Sequence, residues 1–245
     1  TNDEDNPALG LRGIRLSLIN PELFLSQLKG ILRASFYGNI KILYPMISSV
    51  TEIIQANKLL QEAKVILKED QIPFDDNIKI GAMIETPAAT LCIDHILEHV
   101  DFVSIGTNDL VQYTLAVDRI NENVAHLYQP FHPSVIRSLK QIFVASNKAG
   151  KKVSICGELG GDPMATMLLL GLGKLENLSM EPHSIPKVKK IIRLIRLDEA
   201  RQMANHVLGL NSVEEISRFI AEEMRTRFPD DFDRDLIFQK KTIPT

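Results

Sequence analysis

Residues 78–110, IKIGAMIETPAATLCIDHILEHVDFVSIGTNDL, decide the fold. The stretch opens on a short apolar run, 78–84, with the length and branching of a buried strand rather than a helix. Glu85 closes that run, and Pro87 stands where a first helical turn starts. Apolar residues recurring at three and four predict a helix to residue 98. A second apolar run follows at 102–105, and Asn108 and Asp109 stand just beyond it. The unit therefore reads as strand, carboxylate, helix, and then the same again.

Outward from this unit the pattern repeats. Further strand-like runs lie at 40–45, 153–156 and, more weakly, 177–180. Helix-like segments occupy 51–69, 109–117, 133–149 and 163–170, with two more at 198–206 and 213–227. The strand runs read as apolar on both faces, which predicts an α/β fold with parallel strands wrapped by helices. Polar chemistry clusters after the strands, at Glu85, at Asn108-Asp109 and at residues 156–158, where a βα barrel of the TIM type builds its site. A doubly wound sheet would carry a glycine-rich phosphate turn after its first strand, and neither G-x-G-x-x-G nor a Walker pattern is present. Five strands fall short of the eight in a closed barrel, and residues 6–38 read as loop and helix. The expectation is a barrel truncated on its N-terminal side and lacking its first strands, spanning residues 1–227, with 228–245 as a polar C-terminal tail.

With 245 residues, 44% of them hydrophobic, the chain has material for a substantial core, and a net charge of -3 excludes the broad basic field of a general nucleic-acid binder. No run approaches the ~20 apolar residues of a membrane span, and residues 1–5 are polar and acidic, unlike a signal peptide. Cys92 and Cys156 lack metal-type spacing and read as thiols of a reducing cytoplasm, Cys92 as a buried and inert one.

Glu85 and Asp109, at the ends of successive strands, can converge on a hard cation such as Mg²⁺, which takes one or two protein carboxylates and leaves positions for water and phosphate. Singly, each would more often serve as a cap or a surface group, and their shared position after successive strands is what points to the cation. Arg12, Arg15, Arg33, Lys41 and Arg119 are candidate anion holders, arginine having the planar fork that matches phosphate and carboxylate oxygens. Arg119 stands out because residues 116–118 bring it out of a helix beside the carboxylates. Cys156, mostly protonated at neutral pH, can give a proton to an enolate. The six histidines show no metal-ligand spacing and read as structural.

The segments NPALGLRGIR (6–15), GAMIETPAA (81–89), SIGTNDL (104–110), YTLAVDR (113–119) and CGEL (156–159) together resemble Enzyme I of the phosphoenolpyruvate phosphotransferase system, with the nitrogen-related paralogue an equal match. The resemblance runs in order from about residue 6 to 224. It implies a βα barrel in which Glu85 and Asp109 hold Mg²⁺, Arg12 and Arg119 grip phosphoenolpyruvate, and Asn108 assists. It implies further that the cysteine at position 156 protonates the enolate to release pyruvate. The phosphoryl group would pass to a histidine on a separate N-terminal domain and onward to a phosphocarrier protein, the chain would form a homodimer, and it would be cytoplasmic, with no nucleic-acid or membrane partner. Lys41 stands where some members have arginine, and Leu11 where the family has an aromatic residue. The alternatives are a non-catalytic assembly module and a relative of pyruvate phosphate dikinase or phosphoenolpyruvate synthase.

Overall fold

A computed structural model describes residues 4–232. Its centre is a sheet of five parallel strands, β1 (Lys41–Tyr44), β2 (Lys79–Ile84), β3 (Phe102–Gly106), β4 (Lys152–Cys156) and β5 (Asn177–Leu178), in the order β1-β2-β3-β4-β5. The register places Ile84 beside Ile105 and Gly106 beside Cys156, so the carboxyl ends of β2, β3 and β4 open on one side.

The crossovers run through α3 (Val50–Glu69), α4 (Pro87–Leu91) with α5 (Ile93–Leu97), α6 (Thr107–Leu115) with α7 (Pro133–Lys148), and α8 (Pro163–Leu172). The strand order never reverses, so right-handed crossovers stack these helices on the same face of the sheet. They form a continuous row in which α3 packs on α5, α5 on α7 and α7 on α8. Two helices precede β1, α1 (Gly13–Ile19) and α2 (Pro21–Ser35). Three follow β5, α9 (Ile185–Leu194), α10 (Leu197–Gly209) and α11 (Val213–Arg227). α9 is an element that the periodicity reading passed over. The helix expected over 87–98 is two short helices, broken at Cys92, whose thiol is exposed rather than buried.

The expectation of strands apolar on both faces holds for one face only. Side chains alternate along a strand, and Ile42, Tyr44, Ala82, Ile84, Val103, Ile105, Val153 and Ile155 form the buried set that joins the helical layer in one core. The opposite set includes Lys41, Lys79, Phe102, Ser104, Lys152, Ser154 and Cys156. Polar side chains there are what let the sheet present chemistry.

Phe228 and Phe232, inside the stretch expected as a tail, are both buried in the core and meet edge-to-face. Lys187 of α9 lies over the Phe232 ring and donates to the Asp231 carbonyl. Residues 233–245 lie outside the described residues. Among the described residues, no helix is long and apolar enough to cross a membrane.

Candidate active site

Glu85 leaves the end of β2 just before Thr86 caps α4. The Thr86 hydroxyl accepts from the Ala89 N–H at 3.1 Å and donates to the Ile47 carbonyl at 2.9 Å, which pins the turn to the loop after β1. Glu85 is 5% exposed, and its Oε1 accepts from the Met46 N–H at 2.6 Å. Met46 is itself buried in the left-handed region, at φ 58, a conformation non-glycine residues adopt at a cost and that clusters at functional sites. Burial pushes the Glu85 carboxyl up to about 7; the Met46 N–H pulls it down, the Asp109 charge raises it further and Arg12 lowers it.

Asp109 lies in the first turn of α6, 9% exposed. Its Oδ2 takes a charged hydrogen bond from Arg12 Nη2 at 3.2 Å, while its Oδ1, buried, has no protein partner among the described residues. An unpaired buried carboxylate oxygen is costly unless a cation or donor meets it. Among the described residues, no group of three or more His, Cys, Asp or Glu could hold a metal by itself. Two carboxylates with one free buried oxygen nevertheless fit a magnesium ion that completes its shell with water and substrate oxygens.

Gly106, at the end of β3, leaves the room that the Glu85 side chain occupies. A Cβ there would lie 2.3 Å from Glu85 Oε2 and 2.9 Å from Glu85 Cβ. Gly106→Ala is therefore expected to displace Glu85 and lower divalent-cation affinity by ~10–100-fold, the scale seen when support around a metal ligand is lost. Calorimetric titration of Mg²⁺ checks it, and an unchanged affinity would show that Glu85 is not a ligand.

Arg12 and Arg119 arrive from different parts of the chain at one cleft of about 750 Å³, lined also by Asp109, Gln112 and Asp118. Arg12 is held from below by Tyr113, whose hydroxyl accepts from Nη1 at 3.2 Å and donates to the Ala8 carbonyl. α6 ends at Ala116, left-handed at φ 54, so the chain doubles back and the Arg119 N–H donates to Gln112 Oε1 at 3.1 Å. The Arg119 guanidinium reaches Tyr128 with its charge, and the Tyr128 hydroxyl donates to the Asn108 carbonyl at 3.3 Å. Burial, with Glu158 adding to it, pushes the Tyr128 phenol up to about 12, so it stays a donor at physiological pH. Tyr113, Gln112 and Tyr128 are site residues that the sequence reading did not single out.

Asn108 Oδ1 accepts the Glu158 N–H at 2.9 Å, tying α6 to the loop after β4. That loop turns at Gly157, φ 93, where a Cβ would meet Thr107 Oγ1 at 2.5 Å and Asn108 Oδ1 at 2.7 Å. Thr107 Oγ1 donates to the Cys156 carbonyl at 2.9 Å. Cys156 is thus set at the carboxyl end of β4, beside Gly106 and near enough to Glu85 to feel its charge. Burial raises its thiol, the Ser104 hydroxyl lowers it and the Glu85 charge raises it, so the protonated form is favoured.

Arg12, Glu85, Asn108, Asp109, Arg119 and Cys156 therefore gather at the carboxyl end of the sheet. Lys41 does not. It opens β1, at the amino end of the strand, with its ammonium 5.2 Å from the centre of the Phe102 ring and its charge felt by Glu176. A cation at the first position of a strand stands at the opposite end of the sheet from residues just after one. Arg15 is engaged locally with the Leu9 and Gly10 carbonyls.

Residues 1–197 match the family described as PEP-utilising enzyme, PEP-binding domain. The phosphoenolpyruvate-protein phosphotransferase of Buchnera aphidicola subsp. Schizaphis graminum is 49% identical over 213 residues, covering 87% of this chain and 37% of that protein. That of Listeria monocytogenes is 46% identical over 218 residues, covering 89% of this chain and 38% of that protein. The chain thus spans less than half the length of these relatives. Among solved structures, a citrate lyase from Burkholderia xenovorans LB400 superposes over 90% of this chain and 70% of its own, with a TM-score of 0.51 at 15% identity, a likeness of fold.

Proposed function

The chain belongs to the PEP-utilising enzymes, matching their PEP-binding domain, and from that premise we propose that it forms the phosphoenolpyruvate site of a phosphoenolpyruvate-protein phosphotransferase. The observation that carries the reading is the pair of buried carboxylates, Glu85 and Asp109, with one Asp109 oxygen that has no protein partner among the described residues and with Asp109 lining a cleft that holds two arginines.

In this reading Glu85 and Asp109 hold Mg²⁺, which supplies neutralisation of phosphate charge as the phosphoryl group leaves. Arg12 and Arg119 offer guanidinium forks to the carboxylate and phosphate oxygens, and the N-terminal amides of α6 face the same anion. Asn108 acts chiefly by holding the α6 start against the Gly157 loop. The bond from phosphorus to the enol oxygen breaks, the phosphoryl group goes to a histidine outside this chain, and pyruvate enolate remains. The Cys156 S–H then gives its proton to C3 of the enolate, and solvent restores the thiol. Transfer onward to a phosphocarrier protein, through domains beyond this chain, belongs to the same proposal, as does a cytoplasmic setting.

The fold reading extends likewise. The unreversed strand order and the single helical layer support an arc of a TIM-type βα barrel, folded as one phosphoenolpyruvate-binding domain, with the remaining strands contributed from outside this chain. β1 and β5 are the sheet edges among the described residues, and we propose that a homodimer helps protect such edges; a stable monomer on gel filtration at micromolar concentration would contradict it.

The raised Glu85 carboxyl gives the functional reading a test in pH. Below about 7 a proton occupies Glu85, so Mg²⁺ must displace it. Mg²⁺ affinity is expected to rise by ~10-fold per pH unit up to about pH 7 and then level. The metal-free chain shows the opposite sign: between the ordinary carboxylate value of 4.5 and about 7 the folded state holds a proton the unfolded state has lost. Its stability is fully present below the lower value and falls by about 3 kcal/mol as pH rises through the upper one. Urea melts at pH 4 and pH 7.5 without metal measure that difference. Equal Mg²⁺ affinity at both values would contradict the reading.

A further inference from the structure

Ser104 lies mid-strand in β3 on the polar face of the sheet, 6% exposed. Its register partner on β4 is Ser154, which places its side chain diagonally below Cys156, two residues further along the same face. The Ser104 hydroxyl donates to Cys156 Sγ at 3.6 Å, and the Cys156 thiol in turn donates to the Ile105 carbonyl at 3.4 Å. The sulfur is thus an acceptor from one side and a donor to the other, in a pocket that burial makes unfavourable for a thiolate.

We infer that Ser104 is a positioning residue for the Cys156 thiol, fixing the sulfur toward the carboxylate site and holding the thiolate that remains once the proton is given up. The inference rests on the proton-donor reading of Cys156 for its purpose, and on the hydrogen-bond geometry for its substance. In the resting state the S–H points along the sheet at the Ile105 carbonyl. Turning it toward a substrate carbon requires rotation about the Cβ–Sγ bond, which moves the hydrogen and leaves the sulfur in place. Ser104 is the hydroxyl donor that remains on the sulfur through that rotation. When the S–H bond breaks, its electron pair stays on sulfur, and a neutral hydrogen bond becomes a charge-assisted one, roughly twice as strong. No negative group is added nearby by this arrangement. The titratable group whose charge reaches the thiol is Glu85, from the end of β2, and it disfavours the thiolate.

The test uses the pH profile of Cys156 alkylation by iodoacetamide in the full 245-residue chain, carrying Cys92→Ser so that the exposed second thiol does not report. Rates are compared from pH 8 upward, above the value of about 7 to which burial raises Glu85. Ser104→Ala removes one buried oxygen and is expected to move the profile to higher pH, slowing alkylation at pH 8 by ~10-fold, the equivalent of one pKa unit. Ser104→Thr, which keeps the hydroxyl, is expected to restore the parent profile. A folded Ser104→Ala protein, by circular dichroism, with an unshifted profile would overturn the inference, as would an equal shift in Ser104→Thr. Because alkylation needs no substrate, the outcome is separate from the fate of the functional reading. That reading is judged by exchange of pyruvate protons in the Cys92→Ser parent: absent exchange would sink the proton-donor role, while a profile shift would still establish the contact between Ser104 and the thiolate.

Discussion

Cys156→Ala is expected to slow the exchange of pyruvate methyl protons with D₂O, in the presence of Mg²⁺, by ~100-fold or more, the usual scale for loss of a positioned proton donor. The exchange is the reverse of the proposed protonation: the sulfur takes a C3 proton, the enolate forms, and a deuteron returns from the solvent-exchanged thiol. Proton NMR follows it directly, without any phosphoacceptor domain. The geometry makes the residue specific to this step. Cys156 stands at the end of β4 with its carbonyl held by Thr107 and its sulfur by Ser104, whereas Arg12 is held by Asp109 and Tyr113. Binding of phosphoenolpyruvate should therefore survive the substitution, so that the two effects separate. A variant that binds and exchanges like the parent would remove Cys156 from the mechanism.

Asp109→Ala is expected to act earlier, on binding itself. It deletes one of two carboxylates and strands Arg12, whose Nη2 now points at no anion. Losing a residue that supports a metal ligand costs 10–100-fold, so losing the ligand should weaken Mg²⁺-dependent phosphoenolpyruvate binding by at least ~100-fold, about 2.7 kcal/mol. The variant should also pull the Glu85 carboxyl back down, because the like charge of Asp109 is one of the causes that raise it. Isothermal titration of phosphoenolpyruvate reads the first effect and the pH dependence of stability reads the second. Retained affinity with a shifted Glu85 would mean that the carboxylates interact but do not share a cation.

The residues that could be read from the sequence are those adjacent to strand ends. Glu85, Asn108, Asp109 and Cys156 follow apolar runs directly, and in a parallel sheet all such positions open on one side, so spacing alone brings them together. Lys41 failed by the same geometry, since it opens its strand and so stands at the far end of the sheet. Tyr113, Tyr128 and Gln112 lay beyond such reasoning because their roles depend on where Ala116 reverses the chain, and a left-handed alanine leaves no compositional mark. Ser104 was hidden inside a strand that looked uniformly apolar. Its alternation with Val103 and Ile105 is the signal that could have exposed it, together with Ser154 and Cys156 at matching positions on β4. α9 was missed although Val188 and Ile191 carry a helical spacing, because Pro186 and the basic residues around it resemble a loop.

The central claim is that this chain builds a phosphoenolpyruvate site around a cation held by Glu85 and Asp109. The most direct measurement is calorimetric titration of phosphoenolpyruvate into the folded chain with and without Mg²⁺. Saturable binding that appears only with Mg²⁺, and disappears in both Glu85→Ala and Asp109→Ala, is the predicted result; heat that is the same with and without the metal, or no binding by a folded chain, would contradict it.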